Sequence, residues 1–361
     1  MKNKSARRFI GLFPGLLFCT IILTGNLAAQ QTQWNALNQQ LADLYSRGRY
    51  AEGIPVGAEA LKIAEATFGT EHPNTATSLN NLAEMYRLTG RFAEAKSLYQ
   101  RALRVAEGSL GADSPLVASA LTNLAEMYRM QEDFSNAEPL YRRAIVIREQ
   151  FLGPEHPDLA QSLNNLALLY AAQQRGDDAE PLYQRALGIY RKALSEDHPL
   201  VAATMNNLAE LYRAQGKFAL AEPLYQRALA IDQAKLGPDH PTVIMNLNNQ
   251  ALLYNAEKRP EEAERLFLKS LATAERAFGA EHNALLRTLG NLAGFYEEQE
   301  RLADAEPVLQ RALRIAEKSY GKDSPVLSGV LETLARIYKE TGRADEANAL
   351  QQRVKKLSAS R

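Results

Sequence analysis

The sequence has almost no cysteine and no excess of either charge. Its 361 residues include one cysteine, Cys19, so an intrachain disulfide is excluded. Lysine plus arginine equals aspartate plus glutamate, at 42 each, and this balance gives no indication of a nucleic-acid partner. Hydrophobic residues make up 46% of the chain, which is enough to bury a sizeable core and too many for a disordered tail.

Recognisable catalytic motifs are also missing. The sequence contains no phosphate-binding loop, no His-Glu-x-x-His helix and no Gly-x-Ser-x-Gly elbow. We therefore predict a protein that is not an enzyme and that uses no cofactor. The alternative is a hydrolase whose catalytic residues follow none of these patterns.

The first 29 residues differ in composition from the rest. Four basic and no acidic residues stand at the start, an apolar stretch covers residues 9–24, and small residues at 26–29 precede Gln30. This order is typical of a secretory signal peptide, which we predict at residues 1–29. The mature chain would carry a net charge of −4 and be exported, either to the periplasm or to the medium.

Two alternatives concern the same segment. A membrane anchor needs about 20 apolar residues, whereas this stretch has 16 and is interrupted by Gly11, Pro14 and Gly15. Membrane contact would therefore come only through an uncleaved leader held in the inner membrane. A lipoprotein signal would place a small residue before Cys19, and the sequence has Phe18 there.

From about residue 35 the sequence repeats every 42 residues. A tyrosine keeps this step at Tyr86, Tyr128, Tyr170, Tyr212, Tyr254, Tyr296 and Tyr338. An alanine keeps it at Ala95, Ala137, Ala179, Ala221, Ala263, Ala305 and Ala347. An asparagine keeps it at Asn81, Asn123, Asn165, Asn207, Asn249 and Asn291. Three residue types that each keep a 42-residue spacing over six or seven repeats do not arise by chance.

Each repeat reads as two helices joined by a short turn. Apolar positions of the first helix follow the i, i+3, i+4, i+7 spacing of a helical stripe at Leu79, Leu82, Ala83 and Tyr86. The second helix has such a stripe at Ala95, Tyr99, Ala102 and Leu103. We interpret the tyrosines as core residues. Prolines such as Pro139 recur early in the second helices, so these helices should begin no earlier than about Ser135, or bend there.

The link between repeats has its own pattern of glycine, an acidic residue, histidine or serine, and proline. All five histidines of the chain stand in one slot of this link: His72, His156, His198, His240 and His282. Ser114 and Ser324 replace histidine there, and because serine is a strong N-cap we predict that the slot caps the following helix. Zinc ligands lie about 2 Å from the ion, whereas equivalent residues of neighbouring repeats lie at least about 8–10 Å apart, so we predict no metal site.

The pattern Leu79-x-x-Leu82-Ala83-x-x-Tyr86 followed by the second stripe resembles the tetratricopeptide repeat. The 42-residue period and the Gly-x-Asp/Glu-His-Pro link resemble the repeats of kinesin light chains. This resemblance implies an all-α, right-handed superhelical solenoid of about eight antiparallel helix-turn-helix repeats, occupying residues 30–361. The expected repeats lie near residues 34–68, 73–110, 115–152, 157–194, 199–236, 241–278, 283–320 and 325–357.

The same resemblance implies binding of an extended protein segment on the concave face, which the first helices line. The repeated asparagines would hold the backbone of the segment, because an amide offers both a donor and an acceptor. The alternative is that these amides bond neighbouring helices, and both roles can hold together. We predict the following peptide-binding residues: Asn81, Asn123, Asn165, Asn207, Asn249, Asn291, Leu168, Leu252, Arg287 and Arg336.

Specificity is expected where the first helices vary. Three repeats carry a glutamate three residues after the asparagine, at Glu84, Glu126 and Glu210. Leu168 and Leu252 stand at this position in two others and would accept an apolar anchor. Arg287, Arg336 and Lys339 make the C-terminal end basic, which suits an acidic segment or a free carboxylate. The predicted role is an exported adaptor for a protein or peptide partner, and the alternative is a structural unit that self-associates through its repeat ends.

Overall fold

The computed structural model describes residues 15–359, with side chains described for residues 27–358. Residues 1–14 of the predicted signal peptide lie outside the described residues, so the signal peptide stays a prediction. No helix in the described part of the chain combines the length and the apolar character that crossing a membrane requires.

Within residues 15–359 the structure is all-α, with sixteen helices in eight consecutive pairs and no strand, as predicted. Two of the first helices are preceded by a 3₁₀ turn, at Asn283–Leu285 and Pro325–Leu327. The pairs are α1 (Gly15–Ser46) with α2 (Tyr50–Phe68), α3 (Pro73–Leu88) with α4 (Phe92–Leu110), α5 (Pro115–Met130) with α6 (Phe134–Leu152), α7 (Pro157–Ala172) with α8 (Gly176–Ala193), α9 (Pro199–Ala214) with α10 (Phe218–Leu236), α11 (Pro241–Ala256) with α12 (Pro260–Phe278), α13 (Leu286–Glu298) with α14 (Leu302–Tyr320), and α15 (Ser328–Glu340) with α16 (Ala344–Ala359).

The chain divides into two compact units, Met1–Leu169 and Tyr170–Arg361. In the first unit α3 packs on α4 and α4 packs on α5; in the second unit α9 packs on α10 and α10 on α11. Helices α4 and α10 therefore each contact both their own partner and the next pair. This order makes each unit a stack of helix pairs.

The core of each unit is built from the residues that recur every 42 positions, which we call register residues. Tyr99 and Tyr141 in the first unit and Tyr225 and Phe267 in the second are fully buried. The register alanines at the start of the second helices are buried as well, which lets the backbones approach closely. The interpretation of the tyrosines as core residues is confirmed, except that Tyr86 is only half-buried.

The links between pairs are capped as the sequence predicted. His72 Nδ1 accepts a hydrogen bond from the Asn74 backbone N–H at 3.1 Å. The same bond forms at His156, His198, His240 and His282. Ser114 Oγ accepts from Val117 N–H at 3.3 Å, whereas Ser324 makes no side-chain cap bond. The imidazoles are thus N-caps of the first helices.

The second helices start within one residue of the predicted position. Helix α6 begins at Phe134, and Pro139 lies inside it. Ala137 N–H already donates to the Asp133 carbonyl at 3.1 Å, so helical bonding is established before the proline. Pro139 then removes only the bond that residue 139 would donate to Ser135.

The turn inside each pair requires a left-handed backbone residue. Gly90, with φ +77°, occupies this position in the second pair. Four pairs place a non-glycine residue in the same conformation, with φ between 58° and 62°: Glu132, Gln174, Lys258 and Glu300. A side chain in this region costs about 1–2 kcal/mol, because Cβ approaches the following carbonyl oxygen.

Neighbouring pairs of the second unit are also tied by polar groups. Glu264 in α12 accepts from the Tyr296 hydroxyl of the next pair at 3.0 Å and pairs with Arg301 at 2.6 Å. The Arg301 guanidinium lies 4.6 Å from the centre of the Tyr296 ring. Burial, and then the neighbouring Glu264, raise the pKa of Tyr296 to about 12. Glu222 with Tyr254 and Arg259 repeats this arrangement one pair earlier.

One buried polar contact in the second unit is incomplete. Asp232 and Asn246 are each 1% exposed, and Asn246 Nδ2 donates to Asp232 Oδ2 at 2.8 Å. Asp232 Oδ1 and Asn246 Oδ1 have no hydrogen-bond partner among the described residues. Burial raises the pKa of Asp232. A protonated Asp232 carboxyl carries the donor that these two acceptors lack.

The turn conformation predicts opposite effects for two substitutions. Glu300→Gly should raise the free energy of unfolding by about 0.5–1 kcal/mol, because relief of the left-handed strain exceeds the added entropy of the unfolded chain. Gly90→Ala should lower it by about 1 kcal/mol; no atom lies within 4 Å of the added Cβ, so only backbone strain acts. Urea denaturation measures both. Equal signs for the two variants would contradict the strain account.

The buried acid predicts a stability that depends on pH. Because the pKa of Asp232 is raised in the folded state, its contribution is fully present below the ordinary aspartate value of about 3.9 and is lost as the pH rises through the folded value. Asp232→Asn should therefore stabilise the protein at pH 7 by about 1–2 kcal/mol. The gain should shrink as the pH falls towards 4.

Thermal unfolding of the wild type and the variant across this pH range measures the difference. Asp323→Asn is the control, since Asp323 is exposed and loses the same charge. A stability gain from Asp232→Asn that does not change with pH would rule out a titrating Asp232.

Candidate protein-binding face

The first helices form a shared surface within each unit. Helix α3 contacts α5 in the first unit, and α11 contacts both α9 and α13 in the second. The second helices of neighbouring pairs make no comparable contact in the described part of the chain. The first helices therefore lie on the inner side of each stack, as the resemblance implied. We call their exposed surface the first-helix face.

The repeated asparagines stand on this face and bond from one repeat to the next. Asn81 Nδ2 donates to Asn38 Oδ1 at 2.9 Å, and Asn123 Nδ2 donates to Asn80 Oδ1 at 3.1 Å. In the second unit Asn249 donates to Asn206 at 3.3 Å and Asn291 to Asn248 at 3.5 Å. The interhelical role of these amides, left open by the sequence, is thus present at no fewer than four of the six positions.

Asn165 differs from the other repeated asparagines, which together we call the amide ladder. The residue that would accept its bond, 43 positions earlier, is Thr122, whose hydroxyl instead donates to the Ala118 carbonyl at 2.8 Å. The Asn165 side chain, half-buried in α7, makes no hydrogen bond to any residue that the structure describes. Asn207 does have a partner. Asn165 therefore offers its whole amide to a ligand.

A cleft of about 350 Å³ opens on the first-helix face of the first unit. Four amides surround it, and an exposed tyrosine stands beside them. Its lining residues are Asn38, Leu41, Ala42, Tyr45, Asn80, Asn81, Glu84, Met85 and Asn123. Each ladder bond uses one Nδ2 hydrogen of the donor, which leaves the other Nδ2 hydrogen and Oδ1 of Asn81 and Asn123 for a ligand.

The glutamates of the variable position have a structural partner that the sequence analysis missed. Glu84 accepts from the hydroxyl of the buried Tyr99 at 2.5 Å and pairs with Arg87 at 2.5 Å. Burial and the adjacent Glu84 carboxylate raise the pKa of Tyr99. The same triad recurs as Glu126 with Tyr141 and Arg129, and as Glu210 with Tyr225 and Arg213.

Within each triad the arginine neutralises the charge of the glutamate. Burial opposes ionisation of Glu126, but the hydrogen bond from Arg129 still holds the pKa of Glu126 below its usual value. A signal for this pairing exists in the sequence: glutamate is replaced where the tyrosine 15 residues later is also lost, at Leu252 with Phe267 and at Gly294 with Leu309. Leu168 with Tyr183 is the exception, and Tyr183 has another partner.

The remaining predicted site residues have different surroundings. Leu168 and Leu252 are half-buried, and Leu252 packs against the core cluster of the second unit. Arg336 pairs with Glu297 and lies 3.6 Å from Glu340, so its charge is neutralised within the protein. Arg287 is exposed and forms no ion pair with another described residue. Arg287, like Lys339, thus carries a charge that no described residue neutralises.

Metal-binding geometry is not found in the part of the chain that the structure describes. No group of three or more histidine, cysteine, aspartate or glutamate side chains in it lies close enough together to hold a metal ion. The histidine side chains instead occupy the helix-capping positions described above.

Comparison with known proteins identifies the repeat. The family model of the tetratricopeptide repeat matches seven overlapping segments: residues 35–108, 79–150, 116–192, 158–234, 201–276, 242–306 and 285–359. A search of the curated proteins found no match.

Solved structures give the same result. BtubC (BKLC) from P. vanneervenii is 29% identical, with 64% of this chain and 92% of that chain covered and a TM-score of 0.53. A putative kinesin light chain with nearly identical repeats from Podosopora anserina is 27% identical, covering 57% and 98% of the two chains with a TM-score of 0.50. The apo quorum sensor NprR from B. thuringiensis, 17% identical, covers 93% and 99% with a TM-score of 0.64 and shows the fold alone.

The model matches extend over nearly all of residues 35–359, and the structure shows the helix pairs that they describe. This repeat fold is typically non-catalytic. The kinesin light chain-like character inferred from the 42-residue period is confirmed by the similar structures. The chain therefore belongs to the tetratricopeptide repeat family, whose repeats typically serve as scaffolds for protein–protein interaction.

Proposed function

We propose that this chain is an exported adaptor that binds an extended protein segment along its first-helix face. The observation that carries the proposal is the series of amides on this face. Asn81 and Asn123 are each held by one interhelical bond, and four amides surround a cleft of about 350 Å³ in the first unit. A carboxamide with a spare donor and a spare acceptor matches the bonding needs of a peptide group.

The spacing of the amides suits an extended chain. Neighbouring packed helices lie about 8–10 Å apart, and an extended chain advances about 3.3 Å per residue. A segment that crosses the first helices would thus meet one ladder amide about every third residue. Contacts made through the backbone do not depend on the partner's side chains, so the ladder supplies affinity and other residues supply specificity.

The interhelical bonds support this role rather than compete with it. Asn123, held by Asn80 at 3.1 Å, keeps its amide in one orientation before any partner arrives. A group ordered in advance loses less conformational entropy on binding. The triads of Glu84 and Glu126 act similarly, because they hold charged groups on the same helices without leaving a net charge exposed.

Export rests on the composition of residues 1–29. A basic start, an apolar stretch of 16 residues and small residues before Gln30 are the three parts of a secretory signal peptide. The first described helix continues through this region to Ser46, so removal of residues 1–29 would shorten α1 and keep Trp34, whose Nε1 donates to Ser78 Oγ at 2.7 Å.

Asn165→Ala tests the ladder directly. Because the Asn165 side chain has no hydrogen bond within the described chain, its removal should leave the unfolding free energy within about 0.5 kcal/mol of the wild type. Retention of a random octapeptide pool by the immobilised protein should fall about 2–10-fold, the value of one lost hydrogen bond.

Asn123→Ala is the matched comparison, since it loses an interhelical bond as well and should lower both stability and retention. Mass-spectrometric counting of the retained peptides measures binding, and circular dichroism on heating measures stability. Unchanged retention with Asn165→Ala would show that the ladder serves the stack alone.

The leader predicts processing in a bacterial host. The mature protein should begin at Gln30 and leave the cytoplasm, and its intact mass should show the loss of residues 1–29. Placing two charges in the apolar stretch, as Leu16→Arg with Leu17→Arg, should keep the unprocessed chain in the cytoplasm, because charges oppose insertion of a signal segment. An unprocessed wild-type chain found in the cytoplasm would contradict export.

A further inference from the structure

A second cleft, of about 390 Å³, opens on the first-helix face of the second unit. It lies between α13 and α15, and residues of α14 form its floor. Most of the wall is apolar and includes Leu286, Leu309, Val326 and Val330. Val326 at the rim is 62% exposed, a large value for a valine. The cleft therefore offers open apolar surface beside the amide ladder.

Three glycines open this cleft: Gly290 and Gly294 in α13 and Gly329 in α15. None of them has a positive φ, and no atom lies within 4 Å of a Cβ added at any of the three. Neither the backbone conformation nor the packing of the protein therefore requires glycine, which weakens a helix relative to alanine. Earlier repeats carry asparagine or threonine at the position of Gly290 and glutamate, leucine or alanine at that of Gly294.

Two unpaired charges of opposite sign flank the cleft. Arg287 precedes Gly290 by about one turn of α13, and Glu332 follows Gly329 by about one turn of α15. Both side chains are exposed, and neither forms an ion pair with another described residue. Arg336, by contrast, is held by Glu297. One free charge thus lies on each of the two first helices that border the apolar opening.

We propose that this cleft is the specificity subsite of the first-helix face and takes a large aliphatic or aromatic side chain that stands between an acidic and a basic residue. The inference rests on the proposed function. The acidic residue pairs with Arg287 over α13, and the basic residue pairs with Glu332 over α15. Helices on either side of a cleft lie at least about 8–10 Å apart, so at about 3.3 Å per residue the two charges are about three or four residues apart in the bound segment.

The test uses the immobilised protein and a pool of random N-acetylated octapeptides, with the retained sequences read by mass spectrometry. We expect leucine, methionine or phenylalanine to be enriched about ten-fold at one position, as burial of such a side chain implies. Acidic and basic residues should be enriched on opposite sides of it.

Substitutions then separate the parts of the subsite. Gly294→Leu fills the cleft with the residue found at Leu168 and Leu252, and should abolish the apolar enrichment. Gly188→Leu is the matched control, because Gly188 is an exposed helical glycine with open space that lies outside the cleft. Arg287→Glu should exchange the acidic preference for a basic one, and Glu332→Lys should do the reverse.

The outcomes distinguish the two proposals. If no peptide is retained by the wild type, the proposed function fails and the subsite with it. A second result is that the wild type retains peptides, with less retention by Asn165→Ala, while Arg287→Glu and Gly294→Leu leave the composition of the retained peptides unchanged. That result overturns the subsite and leaves the proposed function standing. Circular dichroism checks that Gly294→Leu is folded. The surface charge variants decide the question if it is not.

Discussion

Each helix pair exposes an apolar face that only the next pair can cover, and the rest of the structure depends on this constraint. The small register alanine near the start of the second helix, as at Ala95 and Ala263, is fully buried and allows the close approach. The tyrosine or phenylalanine one turn later, as at Tyr99 and Phe267, fills the remaining space. Both residues must meet the neighbouring pair at the same position along the helix. An inserted residue would shift that position, so insertions are tolerated poorly and the 42-residue period is kept.

Polar groups follow the same constraint. A tyrosine hydroxyl brought into the core needs an acceptor, and Glu84 supplies it from the first helix of the same pair. The buried carboxylate in turn needs a cation, which Arg87 supplies three residues later. The charges of the first-helix face are thus largely consequences of core tyrosines. The face varies where the tyrosine is replaced, as at Gly294 with Leu309, and also at Leu168, where Tyr183 is kept.

Much of the fold followed from the sequence, because it depends on local chemistry repeated many times. The periodic leucines, alanines and tyrosines fixed the helix pairs, and the histidine and serine link predicted the caps that His72 and Ser114 form. The start of α6 at Phe134 lies within one residue of the predicted position, and the proline inside the helix removes one bond without preventing the helix.

The site could be predicted only in part. The asparagines were found from their period, but their bonds run to residues 43 positions away, as from Asn81 to Asn38, and no local pattern contains that distance. Leu252, predicted to accept a partner, also packs against the core cluster of the second unit, and this contact depends on the neighbouring pair. The second cleft was missed since glycines leave no apolar signal in the sequence, although Arg287 beside it was named.

The claim that a partner lies along the first-helix face is tested most directly by nuclear magnetic resonance of the asparagine side-chain amides. A retained octapeptide would be added to protein labelled with ¹⁵N at asparagine. The account predicts shifts at ladder amides such as Asn81, Asn123 and Asn165, and none at Asn136, which lies at the start of a second helix. Shifts at Asn136 with silent ladder amides would contradict it.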